Sequence, residues 1–157
     1  MRYRLELRNY CADSIIEHES VSRVVQEMSD FFLKDQVIVV TGAAGGIGRA
    51  ICEDLSEAGA KIVLAGRNAD TLKETADSLK IADSLIVSTD ITKPESVKSL
   101  LDSTLAKFTR IDGLVNNAGG GSSMKKPEET PHEEWVRMID FNLTGTFNCC
   151  IEFGKHM

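Results

Sequence analysis

Short apolar runs rich in valine, isoleucine and leucine alternate along this chain with longer segments of helical periodicity. The runs at 37–40, 61–65, 85–88 and 113–115 are too short for helices, and they predict strands buried on both faces. In the segments between them, and in the segment that follows position 131, apolar residues recur every three to four positions. This alternation predicts an α/β fold in which helices connect the strands of a parallel sheet.

Right-handed crossovers would place these four strands in the order 3-2-1-4, which is half of a doubly wound sheet. Ligands of such sheets bind beyond the carboxyl ends of the strands, near the point where the strand order reverses. Gly42, Gly66, Asp90 and Asn116 all fall at predicted strand ends. We therefore expect the functional site at this edge of the sheet.

The helix ends carry recognisable capping signals. Asn68 is the predicted N-cap of the second helix, and Thr92 with Glu95 forms a capping box for the third. Thr130 and Pro131 predict the N-cap and first position of the last helix, and Gly59 is the predicted C′ residue of the first.

The predicted apolar positions are Ile47, Ile51, Leu55 and Ala58 on the first helix, and Trp135, Met138, Ile139, Leu143, Phe147 and Ile151 on the last.

Composition excludes several classes of protein. The 157 residues carry a net charge of −6, which argues against nucleic acid as the main partner. No apolar run approaches the length of a membrane span. The four cysteines include no Cys-x-x-Cys pair and are typical of a reducing cytoplasm. Three of them, Cys52, Cys149 and Cys150, fall in helical patterns and are expected in or near the core.

The first 27 residues do not resemble the rest of the chain. They are polar and carry neither a strand pattern nor turn chemistry, whereas Met28 begins a stretch that reads like a natural start. We therefore interpret 1–27 as an upstream extension outside the fold, and 28–157 as the folded domain.

The stretch from Thr41 to Gly48 joins the first strand to the first helix and contains four glycines in seven positions. Glycines allow a sharp turn that brings backbone N–H groups close to a phosphate, and the positive end of the helix dipole then faces the anion. The spacing is neither the general dinucleotide fingerprint nor a P-loop. A glycine-rich turn can also be simple structural punctuation.

Two motifs resemble the short-chain dehydrogenase/reductase family. Thr41-Gly42-x-x-x-Gly46-x-Gly48 matches its glycine motif, and Asn116-Asn117-Ala118-Gly119 matches the segment that closes its fourth strand beside the cofactor. The resemblance covers the chain from about Leu33 onward and implies a dinucleotide-binding Rossmann fold. The cofactor-binding residues that it implies are Thr41, Gly42, Gly46, Ile47, Gly48, Asp90, Ile91, Asn116, Ala118 and Gly119. Arg67, which follows the second strand, is the further candidate.

The end of the second strand distinguishes NADP from NAD. An NAD-binding chain places an acidic residue there to bind the ribose 2′-hydroxyl. Here Gly66 takes that position and Arg67 follows it, which leaves room and a cation for a 2′-phosphate. We therefore favour NADP(H), although Arg67 also fits a solvated loop residue. The family's aspartate that contacts the adenine amino group corresponds to Asp90, and its neighbour corresponds to Ile91.

Asn142 matches the family's helix asparagine, which supports a proton relay, so the resemblance assigns it to the catalytic machinery. Asparagine is mildly unfavourable inside a helix, and a polar helix–helix contact is the alternative explanation. A metal role for His132 is disfavoured because no second ligand stands at a suitable spacing.

The family's catalytic serine and Tyr-x-x-x-Lys pair have no counterpart here. The only tyrosines are Tyr3 and Tyr10, and neither is followed by lysine four positions later. We therefore expect the sheet to be truncated after the fourth strand and its helix, and this chain to bind a dinucleotide without turnover. The parent would be a homo-oligomeric NADP-dependent oxidoreductase that interconverts a small-molecule alcohol and a carbonyl. The alternative is a non-catalytic dinucleotide-binding or interaction module that pairs through its last helix.

Overall fold

The computed structural model describes residues 33–81, 83–121 and 126–157. The predicted extension 1–27 and the predicted start at Met28 lie outside these ranges. Within them strands and helices alternate as expected, with a 3₁₀ turn at Pro127–Glu129 and a π-helical turn at Asp140–Thr144. The strands and α-helices are β1 (Val37–Thr41), α1 (Gly46–Glu57), β2 (Lys61–Gly66), α2 (Ala69–Ser78), β3 (Ser84–Ser88), α3 (Pro94–Phe108), β4 (Gly113–Val115), α4 (His132–Ile139) and α5 (Gly145–Gly154).

The described strands form one parallel sheet in the order β3-β2-β1-β4, which confirms the predicted order 3-2-1-4. Val40 in β1 is aligned with Leu64 in β2 and with Val115 in β4. The carboxyl ends of β1, β2 and β4 therefore lie next to one another.

Two apolar clusters cover the two faces of the sheet, as a doubly wound fold requires. Val37 and Val39 pack with residues of α3 and α5 on one face. Ile38 and Val40 pack with residues of α1 and α2 on the other. Alternate β1 side chains thus enter opposite clusters, so β1 is buried on both faces.

Two predicted helix ends are confirmed. The Asn68 side chain accepts from the backbone N–H of Asp70 at 2.9 Å and of Thr71 at 3.3 Å, which is the expected N-cap of α2. Gly59 follows α1 with φ of 85°, a left-handed conformation that glycine adopts without strain.

The predicted capping box of α3 is wrong. The Thr92 hydroxyl donates to a carboxylate oxygen of Asp90 at 2.8 Å, and Lys93 is the N-cap residue. A hydrogen bond to a carboxylate is stronger than a bond between neutral groups, so the hydroxyl is engaged before the helix begins.

The predicted N-cap of α4 is also wrong by one residue. The Thr130 hydroxyl donates back to the Lys126 carbonyl at 3.1 Å, and Pro131 is the N-cap residue ahead of His132.

Two side chains that were predicted to lie in or near the core are exposed instead. Ile47 is 74% exposed, because α1 turns Gly48 and Cys52 toward the sheet instead. Cys150 is exposed, whereas its neighbour Cys149 is buried.

The predicted last helix is not a single α-helix. A π-helical turn separates α4 from α5, and at its end the Gly145 N–H donates to the Asp140 carbonyl, five residues back. After this turn, Gly145, Cys149 and Phe153 face the core. The opposite side carries a row of exposed apolar residues spaced by four, which we call the outer stripe: Trp135, Ile139, Leu143, Phe147 and Ile151.

Removing a core side chain tests this packing. Leu100 in α3 is fully buried, and we expect Leu100→Ala to lower the free energy of unfolding by about 2–5 kcal/mol through lost burial and a residual cavity. The adjacent Ser99 is exposed, so Ser99→Ala should change it by no more than about 0.5 kcal/mol. Urea unfolding measures both, and equal losses would contradict the assigned inward face of α3.

Candidate functional site

The turn after β1 exposes backbone donors at the start of α1. Gly42 has φ of 66°, and its carbonyl accepts from the Gly45 N–H at 3.1 Å. The Arg49 N–H then donates to the Gly45 carbonyl at 2.7 Å and begins the helix. The first N–H groups of a helix have no partner within it, so those of Gly46, Ile47 and Gly48 are available to an anion.

Three glycines of the turn fall into two groups according to the space around them. A Cβ on Gly42 would lie 2.9 Å from the Ala118 Cα, and one on Gly48 would clash with the Gly42 carbonyl oxygen. At both positions the backbone leaves no space for a side chain. A Cβ on Gly46 would meet nothing within 4 Å, so Gly46 instead leaves space open in front of the helix.

A network of hydrogen bonds joins the carboxyl ends of β1 and β4. The Thr41 hydroxyl donates to the Val115 carbonyl at 3.2 Å and accepts from the N–H groups of Asn117 and Ala118 at 3.1 and 3.0 Å. The Asn117 amide nitrogen donates to the carbonyls of Thr41 and Gly42 at 2.9 and 3.1 Å. Thr41 is 1% exposed, so its hydroxyl satisfies buried backbone groups that would otherwise be unpaired.

Asn117 lines the candidate site but was not among the predicted cofactor-binding residues, whereas its neighbour Asn116 was. The Asn116 side chain is exposed and donates to the Cys150 sulfur at 3.3 Å, and it does not line the cavity beside the glycine turn. Strand periodicity is the signal that separates the two. Val115 packs with the cluster on the α1 side and Leu114 with the opposite one, so alternation directs Asn117 toward the glycine turn.

A cavity of about 440 Å³ opens between the glycine turn, the end of β2 and the segment after β4. We call it the main cavity. Asn117 and Phe141, which were not among the predicted residues, also line it. The predicted residues that line it are Thr41, Gly42, Gly46, Ile47, Gly48, Arg67, Ile91, Ala118 and Gly119.

Asp90 lines a second, smaller cavity of about 180 Å³ that shares Arg67 and Phe141 with the main cavity. One Asp90 oxygen accepts from both the hydroxyl and the N–H of Thr92, at 2.8 and 3.0 Å. The hydrogen bond from the Thr92 hydroxyl is the main cause that lowers the pKa of Asp90 below its ordinary value. The nearby charges of Lys93 and Arg67 lower it by smaller amounts. Asp90 is thus an ionised acceptor held in place by its own turn.

Helix α5 supports the segment that follows β3. The Asn148 amide donates to the Ile91 carbonyl at 3.0 Å. A Cβ on Gly145 would lie 2.7 Å from the Ile91 side chain, so glycine allows the helix to pack directly on Ile91. The wall of the main cavity at Ile91 is therefore fixed by a neighbouring helix.

The predicted Asn142 holds the segment after β4. Its side chain accepts from the Gly120 N–H at 3.0 Å and donates to the Gly120 carbonyl at 2.9 Å, with a further bond to the Met138 carbonyl. The Thr146 hydroxyl donates to the Asn142 carbonyl at 2.9 Å. Asn142 lies in the π-helical turn and ties that turn to the backbone beside the main cavity.

Arg67 extends along the mouth of the main cavity. It is exposed, and its guanidinium lies over the Phe141 ring, 5.3 Å from the ring centre. This distance is within the range of a cation–π interaction.

The buried cysteines offer no nucleophile. Burial raises the pKa of the Cys52 thiol and of the Cys149 thiol to about 11, so both remain protonated at neutral pH. Within the described ranges, no three His, Cys, Asp or Glu side chains lie together as metal ligands would. No helix there has the length and apolar character that a membrane crossing needs.

The arrangement matches a known family. The model of the short chain dehydrogenase family matches residues 36–157. The chain belongs to this family. An uncharacterized oxidoreductase of Staphylococcus aureus (strain MRSA252) is 44% identical over 114 residues, which are 73% of this chain and 49% of that protein. This chain thus spans about half the length of the curated relatives that it matches.

Solved structures share the fold of this chain. The 3-ketoacyl-(acyl-carrier-protein) reductase of Brucella melitensis, complexed with NADH, aligns with a TM-score of 0.75 and 30% identity over 79% of this chain and 51% of its own. A short chain dehydrogenase/reductase of Burkholderia phymatum, in complex with NAD, aligns with a TM-score of 0.75 and 31% identity over 80% and 45%. The dinucleotide-binding fold predicted from the two motifs is confirmed.

The two adjacent asparagines offer a matched test of the network between β1 and β4. Asn117→Ala leaves the Thr41 and Gly42 carbonyls without their amide donor, and we expect a loss of about 1–3 kcal/mol in the free energy of unfolding. Asn116→Ala removes only an exposed bond to sulfur and should cost no more than about 0.5 kcal/mol. Urea unfolding of both variants measures the difference, and a larger loss for Asn116→Ala would contradict the assignment.

Proposed function

We propose that this chain binds NADP(H) in the main cavity, as the cofactor-binding part of an oxidoreductase that interconverts alcohols and carbonyl compounds. The observation that carries the proposal is the start of α1, where the N–H groups of Gly46, Ile47 and Gly48 have no partner within the helix and all three residues line the main cavity. Such a helix start attracts the phosphates of a dinucleotide. A volume of about 440 Å³ also falls within the usual range for a small-molecule site.

Each part of the dinucleotide has proposed contacts. Gly46, Ile47 and Gly48 would hold the pyrophosphate, and Ile91 and Asp90 the adenine. Backbone groups of Ala118 and Gly119 would contact the sugar next to the nicotinamide. Asn116 is left out of the proposed contacts because its side chain bonds to Cys150.

Arg67 supports NADP over NAD. An acidic residue that would bind the ribose 2′-hydroxyl is absent from position 66, where glycine stands. The Arg67 side chain lines the main cavity, and the charge of arginine suits a phosphate.

Coenzyme selectivity tests this assignment. We expect the 157-residue chain to bind NADP⁺ more tightly than NAD⁺, and Arg67→Ala to weaken NADP⁺ binding roughly tenfold or more through lost charge-assisted hydrogen bonds. NAD⁺ binding should stay nearly constant. Lys73→Ala, which removes an exposed charge on α2 outside both cavities, should change neither. Isothermal titration calorimetry measures these constants, and equal affinities in the wild-type chain would contradict the NADP assignment.

The proposed chemistry of the whole protein needs residues that these 157 positions do not supply. A bound dinucleotide would supply or accept the hydride, and the protein would have to give or take the proton at the substrate oxygen in the matching direction. In the family this is the role of a tyrosine with a lysine four positions later, whereas Tyr3 and Tyr10 lack that lysine. Asn142 would support the proton relay by holding the backbone at Gly120.

The pure 157-residue chain should therefore bind NADPH without oxidising it. Spectrophotometric assays with a panel of aldehydes and ketones test this expectation, with binding of NADPH by the same preparation as the control. Substrate-dependent oxidation of NADPH above the buffer rate would contradict it.

We also propose the cytoplasm as the location, because the cysteine pattern is typical of a reducing compartment.

As a second candidate function we propose an interaction module. The outer stripe supports it, since Leu143 is 64% and Phe147 59% exposed, and large exposed apolar surfaces mark contact sites. By resemblance to the family, the occupant would be a second copy of the chain.

Sedimentation velocity tests this pairing. We expect a dimer whose mass falls to that of a monomer in Phe147→Glu, because a charge in an apolar contact is costly to bury. Lys98→Glu on the exposed side of α3 is the control and should leave the dimer intact. A wild-type chain that remains monomeric at high micromolar concentration would contradict the pairing.

A further inference from the structure

The cation–π contact between Arg67 and Phe141 joins two distant parts of the chain at the mouth of the main cavity. Arg67 follows β2, whereas Phe141 belongs to the π-helical turn between α4 and α5. Both side chains line the main cavity and also the second cavity that contains Asp90. In the described part of the chain, the guanidinium lies over this ring and forms no ion pair, although its charge is near enough to Asp90 to help lower the pKa of that carboxyl.

The Phe141 ring is itself held in place. It is partly buried and packs against the apolar cluster on the α3 and α5 side of the sheet. A Cβ built on Gly120 would lie 3.4 Å from the edge of the ring, and the adjacent Asn142 fixes Gly120 through two hydrogen bonds. The ring is thus a fixed surface, whereas the exposed arginine side chain has many conformations available.

The cation–π contact orders the guanidinium without a hydrogen bond to its N–H donors. The guanidinium carbon lies over the ring, 5.3 Å from its centre, and the attraction is between the positive charge and the π face of the ring. An arginine held in this way remains able to bind a phosphate through two parallel hydrogen bonds. Ordering the side chain beforehand also lowers the entropy lost when a ligand binds.

We propose that Phe141 is a positioning residue for coenzyme choice, because its ring holds the Arg67 guanidinium where the 2′-phosphate of NADP binds. The inference rests on the proposed function, since it requires Arg67 to contact that phosphate. Phe141 acts only through Arg67, so its effect belongs to the 2′-phosphate and not to the dinucleotide as a whole.

The ratio of NADP⁺ affinity to NAD⁺ affinity isolates this effect, because the two ligands differ only in the 2′-phosphate. A general loosening of the site changes both affinities and leaves the ratio unchanged. Calorimetric titrations of the 157-residue chain would compare the wild type with Phe141→Leu, Phe141→Met, Phe141→Tyr and Arg67→Ala, and with the double variant Phe141→Leu/Arg67→Ala. Phe108→Leu, which removes the ring that lies under the Lys107 ammonium at 5.0 Å and outside both cavities, is the matched control.

We expect Phe141→Leu and Phe141→Met each to lower the ratio by roughly two- to fivefold, the range of an exposed cation–π contact. Phe141→Tyr retains an aromatic face and should keep the wild-type ratio, as should Phe108→Leu. In the Arg67→Ala background, Phe141→Leu should have no further effect on the ratio. Two non-aromatic replacements are included so that misfolding of one still leaves a test.

Different results would overturn different claims. If Arg67→Ala lowers the ratio while Phe141→Leu and Phe141→Met leave it unchanged, the positioning role is wrong and the NADP assignment stands. If Phe141→Leu lowers the ratio equally with and without Arg67, the ring acts directly on the ligand and the proposal also fails. If Arg67→Ala leaves the ratio unchanged, the NADP assignment fails, and the role of Phe141 fails with it.

Discussion

The connection between the carboxyl ends of β1 and β4 is the constraint on which the site depends. The Thr41 hydroxyl and the Asn117 amide join the two strands through backbone groups on both. Because Asn117 also bonds the Gly42 carbonyl, the same network sets the beginning of the glycine turn. Gly42 and Gly48 then allow contacts too close for any side chain, so that α1 starts directly beside the strand ends. The donors that face the main cavity are thus a consequence of how two strands are joined.

The other side of the site depends on the segment from α4 to α5. Asn142 fixes Gly120, the Phe141 ring lies under the Arg67 guanidinium, and Asn148 donates to the Ile91 carbonyl. Two of these three residues lie in the π-helical turn. π-turns inside helices occur often at functional sites, and here the turn directs consecutive side chains at two different walls. One helical segment therefore supports the proposed adenine, phosphate and sugar contacts together.

Local patterns predicted much of this structure and failed where distant groups compete. The buried runs at β1 and β2 and the Asn68 cap depend on nearby residues, and they were predicted correctly. The Thr92 hydroxyl bonds to Asp90, which a capping pattern does not reveal. Ile47 fits an apolar stripe, yet the close approach of Gly48 to Gly42 turns the helix and leaves Ile47 exposed. The π-helical turn has no sequence signal of this kind, so the pairing of Phe141 with Arg67 emerges only in three dimensions.

The central claim is that the pyrophosphate of a dinucleotide lies at the first turn of α1, in the open space beside Gly46. The most direct test compares Gly46→Asp with Gly46→Asn in calorimetric titrations with NADPH, because the two side chains have nearly the same size and differ in charge. A carboxylate a few ångströms from the phosphates should weaken binding more than tenfold relative to the asparagine variant. The aspartate variant should fold normally, since an acidic residue in the first turn favours the helix. Equal affinity of the two variants for NADPH would contradict the claim.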